Sequence, residues 1–158
     1  MASFYGSFDY SVDAKGRVNI PAKFRKALSP EAEDTFIVTY GSENCLEAYP
    51  KDVWNKRIAD LADHLPRTPE NDKWLRFISG TSADSVLDVQ GRIILSATQM
   101  KYANITKNVT IVGNIKGYIE LWDSERYKEY IGATMKDFDT SFYAVEDQLA
   151  KMGQSAQV

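Results

Sequence analysis

The chain contains the same short element twice. Asp13-Ala-Lys-Gly-Arg17 and Asp88-Val-Gln-Gly-Arg92 share the pattern Asp-x-x-Gly-Arg and lie 75 residues apart, each between two apolar, strand-like stretches. An internal repeat constrains the architecture before any single residue is considered, because each copy is one supersecondary unit that must bury its apolar face against something. The echo continues downstream: Phe36-Ile37-Val38-Thr39-Tyr40-Gly41 returns as Val109-Thr110-Ile111-Val112-Gly113, and Glu47-Ala48-Tyr49 as Glu120-Leu121-Trp122. With 158 residues to share, two small units with a common core follow, neither of which need be stable alone.

Around the first element, Phe8, Tyr10 and Val12 alternate with Ser7, Asp9 and Ser11, and Val18 and Ile20 alternate with Arg17 and Asn19. Period two on both sides of a turn reads as strand, turn, strand. Gly16 supplies positive φ at that turn, and Asp13 accepts backbone N–H bonds there. Pro21 stops the second strand, and Ala22 to Leu28 read as a short helix with Phe24, Ala27 and Leu28 inward and Lys23, Arg25 and Lys26 outward. The second copy, with Gly91 at its turn, has the same grammar: Val86-Leu87, the turn, Ile93-Ile94-Leu95, then Ser96 as N-cap of a helix from Ala97 to Ala103. Gln90 stands where the first copy has Lys15, and Ser96 where it has Pro21, so the two halves are not equivalent in function.

Further helices are expected over Lys51 to Leu65, with Val53, Trp54, Ile58 and Leu61 on one face, over Pro69 to Ser79 with Thr68 as cap, and over Ser124 to Ile131. The Pro69 helix is expected to bury Trp74, Leu75 and Ile78, and Trp54, Trp74, Trp122, Tyr127 and Phe142 read as core. A last helix, Ser141 to Met152, spaces Phe142, Val145, Leu149 and Met152 for one apolar stripe, which must cover either the chain's own core or a neighbouring subunit. The tail from Gly153 to Val158 has nothing to bury and reads as mobile.

Net charge is −3, yet the first thirty residues hold five basic side chains (Lys15, Arg17, Lys23, Arg25, Lys26) against Asp9 and Asp13. A basic patch on an acidic body is a local electrostatic footprint, and a solvated surface stretch explains the same charges. No apolar run approaches the length of a membrane span, and the first residues show neither a basic nor an apolar leader region. A single cysteine, Cys45, excludes an intramolecular disulfide and reads as a small buried hydrophobe. A cytoplasmic protein is the default.

Enzymatic motifs are missing from the sequence. His64 is the one histidine, with no metal-ligand spacing around it, and there is no phosphate-cradling glycine loop or activated nucleophile. No catalytic residue, metal site, cofactor or small-molecule substrate is therefore expected.

Asp13-Ala-Lys-Gly-Arg-Val-Asn-Ile-Pro-Ala-Lys-Phe-Arg25 resembles the signature of the MraZ family of bacterial DNA-binding regulators, and the duplicated Asp-x-x-Gly-Arg places it in the wider AbrB/SpoVT-like group. The resemblance implies a mainly β fold with packed helices, in which two tandem swapped-hairpin AbrB-like β-barrel modules form an internal pseudo-dimer. On that layout residues 1–55 are the first module, 56–80 a helical linker, 81–132 the second module, and 133–158 the C-terminal helix and tail. It further implies a homo-oligomeric ring that binds direct repeats in promoter double-stranded DNA and represses the division and cell-wall gene cluster, in the cytoplasm and at the nucleoid.

The resemblance also implies that Lys15 and Arg17 are the residues expected to touch DNA. Lys23 and Arg25 are further DNA-binding candidates, equally explained as a solvated helix face. Asp13, Gly16, Asp88, Gly91 and Arg92 are read as shaping the turns, Arg17 having the competing role of an ion pair with Asp13. A protein-interaction scaffold that uses the ring and the acidic second half is the alternative. DNA recognition needs Lys15 and Arg17 exposed and unpaired, whereas a scaffold tolerates their loss.

Overall fold

The alternating stretch at the start of the chain forms strand β1 (Ser7–Ser11), and the glycine turn returns it as β2 (Arg17–Asn19). In the structure, a computed structural model that describes residues 3–156, there follow helix α1 (Ala22–Lys26), a 3-10 turn at Pro30–Ala32, strands β3 (Thr35–Tyr40) and β4 (Leu46–Pro50), and helices α2 (Lys51–His64) and α3 (Pro69–Thr81). The second copy repeats the order with β5 (Ala83–Val86), β6 (Arg92–Ile94), α4 (Ala97–Tyr102), β7 (Asn108–Asn114), β8 (Tyr118–Asp123) and α5 (Ser124–Lys136), and α6 (Phe138–Ala156) follows. No helix among the described residues is long and apolar enough to cross a membrane.

Strands are exchanged between the copies. β1 pairs with β7, β2 with β6, β3 with β5 and β4 with β8, all antiparallel, and only the β3–β4 and β7–β8 hairpins are internal to one copy. The larger sheet runs β1-β7-β8-β4-β3-β5 and β2-β6 form a separate ribbon. Replacing each strand by its equivalent in the other copy reverses the order of the large sheet and leaves it otherwise unchanged, which defines an internal two-fold relation. Equivalent residues meet on its axis: Val18 faces Ile93, and Glu47 faces Glu120.

Apolar burial fixes this arrangement. Val18, Ile20, Phe36, Val38, Leu46, Ile93, Ile111, Ile119 and Leu121 are all at most 1% exposed and come from both copies, so removing either copy would open the core. Phe24 of α1 lies edge-on to Phe4 and Phe8, with ring centroids 5.2 and 5.4 Å away, and so anchors the segment before β1. Cys45 is buried.

Residues up to Ser124 form one compact unit and those from Glu125 onward a second, which holds most of α5 and all of α6. Here the structure departs from the extent expected for the last helix and for the core. α6 begins at Phe138 and continues to Ala156, so Gly153 to Ala156 are helical; the remainder of the expected tail lies outside the described residues. Phe142, expected in the core, is exposed, as are Val145, Leu149 and Met152 of the same stripe. Trp74 is likewise an exposed residue of α3 and not part of the core; that helix buries Ile78 alone.

Candidate nucleic-acid interface

Both Asp-x-x-Gly-Arg elements fold as the same closed turn. Asp13 Oδ1 accepts the backbone N–H groups of Lys15 and Arg17, each at 2.9 Å, and Oδ2 accepts Arg17 Nε at 2.6 Å. In the second copy Asp88 Oδ1 accepts from Gln90 and Arg92 at 2.9 Å, and Oδ2 from Arg92 Nε at 2.8 Å. The Arg17 backbone N–H is the main reason the Asp13 carboxyl sits below its usual pKa; the guanidinium and the Lys15 N–H act the same way against partial desolvation. Asp88 is lowered likewise, chiefly by the Arg92 N–H.

Gly16 and Gly91 have φ of +80° and +77°, which only glycine adopts without strain. Their carbonyls lock the loops onto the opposite copy: Leu95 N–H donates to Gly16 O at 2.8 Å, and Ile20 N–H to Gly91 O at 2.9 Å.

The two loops stand at opposite ends of the β2–β6 ribbon. Arg17 is opposite Ile94 and Asn19 opposite Arg92, while the middle pair, Val18 and Ile93, is fully buried. Because successive side chains alternate between faces, Arg17, Asn19, Arg92 and Ile94 share the outward face. Read along the ribbon, Lys15 comes first, then Arg17 beside Ile94, then Asn19 beside Arg92, then Val89 and Gln90.

The candidate residues are used unequally. Lys15 is exposed and makes no ion pair among the described residues. Arg17 is half-buried and paired through Nε, so the requirement of an unpaired arginine is not met; its two terminal nitrogens make no hydrogen bond among the described residues. Lys23 is exposed, with Nζ donating to Tyr5 O at 3.1 Å.

Arg25 has a structural engagement that its own helix does not reveal. Its Nε donates to Ile20 O at 3.0 Å, and its guanidinium lies against Gly91, where a Cβ would come within 2.7 Å of Cζ. The first copy's helix thus braces the second copy's loop. Gln99 is a second residue that sequence reasoning passed over. It completes a capping box with Ser96 at the start of α4, and its Nε2 reaches Val38 O at 3.3 Å in the core. The spacing Ser-x-x-Gln is the signal that could have found it.

Elsewhere, a cavity of about 530 Å³ lies beside α2, walled by Tyr49, Tyr118 and Leu61 and rimmed by Lys56, Arg57 and Lys116. Tyr49 and Tyr118 stack at 4.6 Å, and burial pushes the Tyr118 hydroxyl up to about 12. His64, also on the rim, has its Nδ1 2.9 Å from the Asp60 carbonyl of its own helix.

Duplicated Asp-x-x-Gly-Arg loops at the two ends of a ribbon built by strand exchange define a tandem AbrB-like protein of the swapped-hairpin kind. The family model described as "MraZ protein, putative antitoxin-like" matches residues 3–77 and again residues 78–149. The chain is 36% identical over 151 residues to the transcriptional regulator MraZ of Acetivibrio thermocellus, covering 95% of this chain and 99% of that one. The protein of the same name from Lactiplantibacillus plantarum is 36% identical over 137 residues, 86% of this chain and 93% of that one. That from Halothermothrix orenii is 35% identical over 145 residues, covering 91% and 97%. The chain belongs to the MraZ family.

Proposed function

We propose that this protein is a DNA-binding transcriptional regulator, not an enzyme, that lays the outward face of the β2–β6 ribbon on promoter DNA. The observation that carries this reading is the row Lys15, Arg17, Asn19 and Arg92 on the outward face of one ribbon. The major groove of B-DNA admits a two-stranded ribbon, and a guanidinium whose terminal nitrogens are free can donate twice to a guanine edge or a phosphate. Asp13 and Asp88 then serve by aiming the arginines: a carboxylate bound to Nε and two backbone N–H groups fixes the side chain without occupying its fork. Lys15 supplies the phosphate contact at the first end. Lys23 adds to it, and Arg25 acts mainly as the brace of the second loop.

A few phosphate contacts bind weakly and in a salt-sensitive way, so the unit of function is taken to be a ring of subunits that presents several ribbons to successive direct repeats. Two unlike halves supply the two different surfaces that head-to-tail closure requires, and the exposed stripe of α6 is apolar area available for that contact. Repression of the division and cell-wall gene cluster, from the nucleoid in the cytoplasm, is the biological role in this reading. Its modules are residues 1–55 and 81–132, with 56–80 as linker and 133–158 as the assembly segment. The relatives' shared name, transcriptional regulator, supports the class of function.

The test is fluorescence anisotropy with a labelled fragment from immediately upstream of the protein's own gene, at several salt concentrations, comparing wild type with Arg17→Ala. Tight, salt-dependent binding that is lost in a folded variant of unchanged oligomeric size is the expected result. Equal binding to scrambled DNA, or an Arg17→Ala variant that binds as well as wild type, would instead favour a scaffold that holds a protein partner on the same surfaces.

A further inference from the structure

We infer that the second copy's outward residues on the ribbon read thymine, Val89 at the second loop and Ile94 across from Arg17 each touching the C5-methyl group of that base. The inference rests on the ribbon being the DNA-binding face and adds to it a class of base. Val89 stands at the tip of the second loop with its side chain wholly in solvent, 104% exposed, and Ile94 on the outward face of β6 is 56% exposed. Neither contributes to the core. A single exposed apolar residue is ordinary. Here, however, three outward positions change character together between the copies: Ala14, Lys15 and Asn19 of the first correspond to Val89, Gln90 and Ile94 of the second. The arginine alone is kept, as Arg17 and Arg92, with the same carboxylate holding it.

The second copy has therefore exchanged a phosphate-seeking charge for a neutral amide at one position and an amide for an apolar side chain at another, and it carries two branched apolar side chains within a face otherwise made of hydrogen-bonding groups. In the major groove one base alone offers an apolar contact, the methyl of thymine, while an arginine fork suits guanine and a glutamine suits adenine. Ile94 lies directly across the ribbon from Arg17, and Val89 lies within the closed turn from Asp88 to Arg92. The ribbon thus sets one apolar side chain across from Arg17 and another in the turn that Arg92 closes.

The experiment uses the full chain and the fragment upstream of its own gene, prepared once with thymine and once with uracil throughout. Uracil lacks only the methyl and keeps the pairing. Wild type is expected to bind the thymine fragment about threefold to tenfold more tightly, a few-fold for each methyl contacted. The double variant Val89→Ser/Ile94→Ser, with both changes on the surface, is expected to bind the uracil fragment as wild type does and to show no preference for thymine. Equal wild-type affinity for the two fragments overturns the inference while leaving DNA binding intact. So does a double variant that keeps the preference, or one that loses both fragments, since the residues would then serve folding or assembly. Failure of wild type to bind either fragment would instead overturn the DNA-binding reading itself, and this inference with it.

Discussion

Glu47 and Glu120 lie directly opposite one another on β4 and β8, two carboxylates from equivalent positions brought face to face by the internal two-fold relation. Burial pushes the Glu47 carboxyl above its usual pKa; the hydrogen bond from Tyr49 Oη, at 3.0 Å, opposes this and the Glu120 charge adds to it. The folded protein therefore holds this proton more tightly than the unfolded chain. The stability contributed is complete below the unfolded value near 4.5 and is lost as pH rises through the raised folded value. Glu47→Gln should flatten that slope and stabilise the fold by about 0.5 kcal/mol at neutral pH, the order expected for relieving like charges on paired strands. Urea unfolding of both proteins across pH 5 to 8, roughly the window above an ordinary glutamate, checks it.

The loop carboxylates carry the opposite sign. Asp13 and Asp88 are held below the usual range, so their stabilisation is present above about 3.8 and disappears as pH falls through the lowered folded values. Asp13→Asn should lower the melting temperature at neutral pH. The gap from wild type should close on acidification, as thermal melts at descending pH would show.

Gly16 and Gly91 share a φ, but their surroundings differ. A Cβ at Gly16 runs into the Leu95 carbonyl, which is fixed in the ribbon, whereas one at Gly91 meets the movable end of Arg25. Gly16→Ala should therefore destabilise by about 3 kcal/mol and Gly91→Ala by about 1 kcal/mol, the latter releasing Arg25 from Gly91. Denaturant titration of the two variants gives the order directly.

The α4 cap offers a graded test. Ser96→Ala removes a cap bond at the exposed end of the helix and should cost about 1 kcal/mol. Gln99→Ala should cost about 2 kcal/mol, because Gln99 is 1% exposed and the change also leaves the Val38 carbonyl without its side-chain donor.

Lys15→Ala is expected to weaken DNA binding uniformly across sequences and to reduce the slope of log affinity against log salt by about 0.9, the value for one phosphate contact. An unchanged slope would remove Lys15 from the backbone contacts.

The repeat, the turns and the strand pattern were legible because they are local: Asp13, Gly16 and Arg17 close their loop within five residues, and Phe8 and Tyr10 announce a strand by alternation. Thr68 and Ser96 declared their helices for the same reason. The brace that Arg25 forms beneath Gly91 was not legible. Its charge and spacing in α1 suit solvent equally well, and its partner belongs to the other copy. The core readings of Trp74 and Phe142 failed in the other direction. Helical periodicity says which residues share a face, and does not say whether the same chain covers it.

Unequal loops on one ribbon also have a consequence for orientation. A true dimer of identical modules carries the same side chains at both ends and is suited to palindromes. This ribbon has Lys15 at one end and Val89 at the other, so turning it end for end changes what it presents. A surface with a direction recognises a sequence with a direction, and any number of copies of such a sequence can be laid down in tandem, all pointing the same way.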